Sequence, residues 1–172
     1  MAGSLIKIDE EIVTSAVASV SLLGIDSTYD VYMVSYVGLR ASTGADVNIR
    51  VTKSGTAQSD SEYDRAYKQL RSDTTFGNSS ATNQTSIQIG YSGGNNETYE
   101  NNNTLYLFNF PTAEYSFMTI ESVRSDPSAP TIVGDTGGGV HTVGSASDGV
   151  SILLSSGNIT AGQFVLYGLK KA

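Results

Sequence analysis

Apolar residues along this chain recur in short alternating groups, each closed by Gly, Asn, Asp or Ser, and that period of two predicts strands. Residues 46–52 alternate strictly and place Val47, Ile49 and Val51 on one face, as a half-buried strand requires. In residues 30–37, Val31, Met33, Ser35 and Val37 alternate with Tyr32, Val34 and Tyr36, so both faces are covered or one meets a partner chain. Further strands are predicted at residues 16–22, 86–90, 104–110, 116–123, 150–154 and 163–169. About eight strands with turn residues between them, and no helical blocks, predict an all-β chain: a single antiparallel β-sandwich.

One segment carries two periods. Tyr63, Ala66, Tyr67 and Leu70 fall at helical spacing, with Ser59 and Glu62 placed as a capping box, yet Tyr63, Arg65, Tyr67 and Gln69 also alternate. Aromatic residues in an all-β setting favour the extended reading. Residues 72–103 are polar except for Phe76 and residues 87–91, which predicts long polar surface loops.

Composition narrows the function classes. The 172 residues suit one domain, divided here into an N-terminal arm or first strand at 1–14 and the sandwich at 15–172. A net charge of −7 repels a phosphate backbone, so no nucleic acid is expected as a partner. No run of 18 apolar residues occurs, so no membrane span is expected either, and the N-terminus reaches Asp9 and Glu10 before any signal-like apolar run. The absence of Cys removes disulfides and thiolate sites.

Gly134-Asp135-Thr136-Gly137-Gly138 looks like a protease motif, but each version lacks its partners. A serine-type triad needs a His earlier in the chain, and the only His, His141, comes after a Thr that stands where Ser would. An aspartic dyad needs a second carboxylate loop. A glycine-permitted turn between strands is the expectation, with His141 in a loop or at a strand edge. Asp60, Glu62 and Asp64 alternate and would suit Ca²⁺ only if they converged; no metal or other cofactor is expected. Asn78, Asn83, Asn96, Asn102 and Asn158 open Asn-x-Ser/Thr triplets that fit polar loops. Of the 10 Tyr, most lie in strand patterns, where core or subunit interface is the expected place.

Two segments together carry a resemblance. Residues 23–32, Leu-Gly-Ile-Asp-Ser-Thr-Tyr-Asp-Val-Tyr, followed by Gly38-Leu39-Arg40-Ala41-Ser42-Thr43, resemble the early strand-turn-strand of small β-sandwich virion proteins of tailed bacteriophages, especially those of cyanobacterial hosts. Residues 155–169 resemble the closing hairpin of the same group. The resemblance implies a jelly-roll-like domain, often a homotrimer, serving as a head decoration (cement) protein, a head fibre or a knob of a tail appendage, without catalytic residues.

The expected role is therefore a non-enzymatic virion protein, made in the host cytoplasm, that binds the major capsid protein on the exterior of the head. The apolar residues Leu5, Ile6, Ile8 and Ile12 are its candidate capsid or subunit contact. The alternative is an adhesin of a tail fibre or appendage, reading host surface glycan with polar loops and exposed Tyr.

Overall fold

A computed structural model describes residues 4–127 and 131–170. Thirteen strands are found among them: β1 (Leu5–Val13), β2 (Ser19–Leu23), β3 (Val31–Ala41), β4 (Ala45–Lys53), β5 (Thr56–Ala57), β6 (Tyr63–Arg71), β7 (Phe76–Gln84), β8 (Ile87–Ser92), β9 (Asn101–Phe108), β10 (Ser116–Ser125), β11 (Ile132–His141), β12 (Gly149–Leu154) and β13 (Ile159–Leu169). A single 3₁₀ turn, Glu97–Tyr99, is capped by the Asn96 side chain. All ladders are antiparallel.

The pairings nest. β1 pairs β13, β2 pairs β12, β3 pairs β9 and β4 pairs β8, as in one long hairpin folded over on itself. That wrapping puts β1-β13-β3-β9 in one sheet and β2-β12-β4-β8 in the other, the arrangement of a jelly roll. The larger sheet then continues past β9 through β10, β11, β6 and β7, giving eight strands against five. The extension is built from insertions: β6 and β7 lie in the chain between β4 and β8, after the short β5 that stays on β4, and β10 and β11 between β9 and β12.

The alternation read from the sequence places the core. Tyr32, Val34 and Tyr36 of β3, Leu105 and Leu107 of β9, and Phe164 and Leu166 of β13 face Val47, Ile49 and Val51 of β4, and Val150 and Ile152 of β12, all fully buried. At roughly 1.5 to 3 kcal/mol per buried large side chain, this layer is the main source of stability.

Three expectations are corrected. Within residues 72–103 the predicted strand at 86–90 is β8, but the polar stretch before it is also a strand, β7 (FGNSSATNQ), because an edge strand that buries no side chain needs no apolar alternation. The segment 134–138 is no turn: it is the middle of β11, and none of its glycines takes a positive φ. Glycines of β11 serve close approach instead, since a Cβ at Gly137 would run into the Ala66 carbonyl and Tyr67, and one at the neighbouring Gly139 would lie 2.7 Å from Ile87. His141 is buried at the end of β11, against the ring of Tyr63. The two-period segment is the strand β6, and residues 5–13 form an ordinary first strand.

Tyr63 closes a gap that the topology leaves. Along one edge of β4, β8 pairs only as far as Ile49 and β5 begins opposite Thr52. At Val51, between them, the backbone N–H donates to Tyr63 Oη at 3.2 Å, and that hydroxyl donates to the Gln58 carbonyl at 2.9 Å. Burial pushes the Tyr63 phenol up to about 12, so it stays a donor at any physiological pH. Tyr63→Phe strands the buried Val51 N–H and should lower unfolding free energy by about 1–3 kcal/mol, read as a lower urea midpoint at unchanged slope.

Candidate interaction surfaces

The large sheet buries its inner face from β13 to β10 and half-buries it across β6 and β7, but its outer face has nothing packed on it. Register assigns that face level by level. Phe108, Phe117, Val140 and Asp64 lie in line across β9, β10, β11 and β6. Thr119, Gly138 and Ala66 form the next level across β10, β11 and β6. Below them come Glu121, Thr136 and Lys68, then Val123, Gly134 and Leu70, with Phe76 of β7 beside Leu70. Phe117 is 45% exposed, Val123 48% and Phe76 66%, so large apolar side chains stand in water at both ends of this face. Between the Phe117 ring and β6, the missing side chain of Gly138 leaves an apolar groove of about 450 Å³, walled also by Phe108, Ala66 and Val140.

The inner side of the same strands joins the apolar core at Met118 and Ile120 and, beyond them, holds a locked polar cluster. The Asp135 carboxylate is 4% exposed and accepts from Arg124 Nη1 at 2.5 Å, Ser122 Oγ at 3.0 Å and Gln69 Nε2 at 3.1 Å. One residue of β11 thereby ties together β10 and β6. The Arg124 guanidinium lies 5.7 Å from the Tyr91 ring centroid on β8, which links this cluster to the smaller sheet. Next to it Tyr36 Oη donates to Asn101 Oδ1 at 2.5 Å and accepts from Asn103 Nδ2 at 3.2 Å, and burial raises the phenol's pKa. Asp135 therefore acts as a buried anchor held by an arginine, and His141 lies six residues farther along the same strand, with no contact to it.

The residues singled out in the sequence are placed as follows. Leu5 and Ile12 are exposed on β1, the edge strand beside β13; Ile6 borders a shallow pocket with Thr28, Tyr29 and Lys170, while Ile8 is partly buried against the core. Leu5 stands opposite Leu169, so the apolar edge of β1 continues onto β13. Among the described residues no three His, Asp or Glu side chains come together as a metal site. Asp64 accepts the Asn83 N–H at 2.8 Å, whereas Glu62 lies 3.9 Å from His141 Nε2. Asn78 and Asn83 lie on β7, Asn102 on β9, and Asn158 in the turn before β13. Tyr32 and Tyr36 are core, while Tyr106 is exposed on the outer face.

The smaller sheet carries a different feature on its outer side. Asp46, Asn48 and Arg50 of β4, with Gln88 of β8 and Arg65 of β6, line a polar cleft of about 350 Å³. Gln88 Nε2 donates to Asp46 Oδ1 at 2.7 Å and Arg50 Nε to the Thr85 carbonyl at 2.9 Å; burial raises the Asp46 pKa. Neither this cleft nor the outer-face groove was legible in the sequence, because each is assembled from strands distant in the chain. Comparison with protein-family models, with curated proteins and with solved structures finds no match for this chain.

His141 gives the structure a pH dependence of known sign. Burial, and secondarily the Lys53 charge, pushes its imidazole down to about 4, below the ordinary value of about 6.5 that it regains on unfolding. The unfolded chain then binds the extra proton, so stability is full above about pH 6.5 and declines as pH falls toward 4. Between pH 7 and pH 5 the loss should be about 2 kcal/mol in urea unfolding. As this is the only His in the chain, His141→Gln should flatten the profile in that window, where carboxylates contribute little.

Proposed function

We propose that this chain is a non-enzymatic structural protein of a phage virion: a decoration protein that seats on the exterior of the head and binds the major capsid protein. The observation that carries the reading is the jelly-roll order of the two sheets joined to an outer sheet face that leaves Phe108, Phe117, Val123 and Phe76 unpacked. A module built to be covered by other subunits presents such a face, since isolated soluble domains rarely expose large apolar patches. The polar chemistry supports a structural role as well: the buried charges Asp135 and Arg124 pair with each other and face the interior. The apolar edge of β1, with Leu5 and Ile12 exposed, is the proposed capsid contact. Repeated over a lattice, modest contacts add by multivalency and resist outward pressure.

Quantitative mass spectrometry of purified virions tests this directly. Copy number comparable to the major capsid protein is the expected result. A handful of copies per particle would move the protein to a tail appendage, and absence from virions would overturn the reading.

A second reading rests on a separate observation, the cleft of Asp46, Asn48, Arg50, Arg65 and Gln88, whose mixed donors and acceptors suit sugar hydroxyls. A fibre adhesin would bind surface glycan there. Binding to a glycan array that Arg50→Ala abolishes, with low copy number, would favour it over the decoration role.

A further inference from the structure

The outer face of β10, β11 and β6 has a symmetry that points to its occupant. Three of its side chains are charged, Glu121, Lys68 and Asp64, and the Asp64 carboxylate is engaged by the Asn83 N–H. Glu121 makes no ion pair or hydrogen bond among the described residues, and Lys68 has only the Phe76 ring, 5.7 Å from Nζ. These two opposite charges stand at one level along the strands, on either side of Thr136 of β11.

We propose that two copies of this chain associate through this face, about a two-fold axis running along β11. Such an axis lays β10 of one copy over β6 of the other and keeps every level unchanged. Glu121 then meets Lys68 of the second copy, twice by symmetry, and Val123 meets Leu70. A two-fold axis across the strands would instead lay β10 on β10 and β6 on β6, bringing like charges together, which is costly at an interface. Along the axis itself stand Gly134, Thr136 and Gly138, small enough for two sheets to approach to the usual spacing of about 10 Å.

The groove fits the same arrangement. Phe117 shares its level with Asp64, so the axis carries the Phe117 ring of one copy over Asp64 and Ala66 of the other, into the groove beside Gly138. Each copy supplies one ring and one groove. With the flanking strands β9 and β7 the contact covers roughly 700 Å² per copy by strand spacing and rise, close to the approximately 800 Å² per partner of a stable interface. The pairing is two-fold, unlike the three-fold assembly implied by the resemblance. It rests on the geometry of this face alone and stands or falls apart from the virion reading.

Sedimentation equilibrium of the full chain, from about 1 to about 100 µM, tests it. The expected mass is an even multiple of the protomer. Glu121→Lys and Lys68→Glu should each weaken association at least about tenfold, and the double swap should restore it to within about threefold. Both positions are on the open face, and circular dichroism checks that each variant folds. A mass of one or three protomers, or an even assembly that neither single charge reversal weakens, overturns the proposal. A second measurement needs no change of charge: in this Cys-free chain, Thr136→Cys should be joined to its copy by a short bis-maleimide, and Ser35→Cys, away from the axis on β3, should not. Equal joining at both positions would also contradict the two-fold axis.

Discussion

The buried pair of Asp135 and Arg124 is the constraint on which the outer half of this molecule depends. The jelly roll itself is held by an apolar layer between its sheets, to which β10 adds Met118 and Ile120, but past β10 the extension has little apolar surface to bury. β6 carries one fully buried residue, Tyr63, and β7 none. A buried carboxylate supplies what the missing core does not, by accepting from β10 twice and from β6 once while the arginine reaches the Tyr91 ring of β8. Removing one member of such a pair leaves the other charge buried and unpaired, at about 3–5 kcal/mol. The cluster is thus strong enough to decide whether the extension stays paired.

That pairing is what gives the molecule an exterior face with levels in register. The two ends of the face are apolar, the middle carries Glu121 and Lys68, and the strand through its centre has small residues at Gly134, Thr136 and Gly138. The same glycine run serves both sides of the sheet: Gly137 and Gly139 admit Tyr67 and Ile87 on the inside, and Gly138 opens the groove on the outside. Self-association would cover the β11 face and leave the β1 edge free as the proposed capsid contact.

The roll was legible in the sequence because its strands are buried on at least one face. Val47, Ile49 and Val51, or Tyr32, Val34 and Tyr36, announce themselves by period two, and the hydrophobic effect makes that pattern obligatory. The extension was not legible for the opposite reason. β11 packs backbone against side chains, so it needs glycines where a strand usually shows β-branched residues, and Gly-Asp-Thr-Gly-Gly therefore looked like a turn. β7 buries no side chain and shows no apolar alternation at all. Asp135 was noticed for its resemblance to protease motifs; its real partners, Arg124, Ser122 and Gln69, could be found only through register between strands up to 66 residues apart.

Residue-resolved amide hydrogen exchange on Asp135→Ala, against the unaltered chain, tests the dependence of the extension on this pair most directly. The account predicts that protection falls in β10, β11, β6 and β7 while β1, β13, β3 and β9 keep theirs, a local opening below the global one. Uniform loss across both groups of strands, or unchanged protection in β6 and β7, would contradict it.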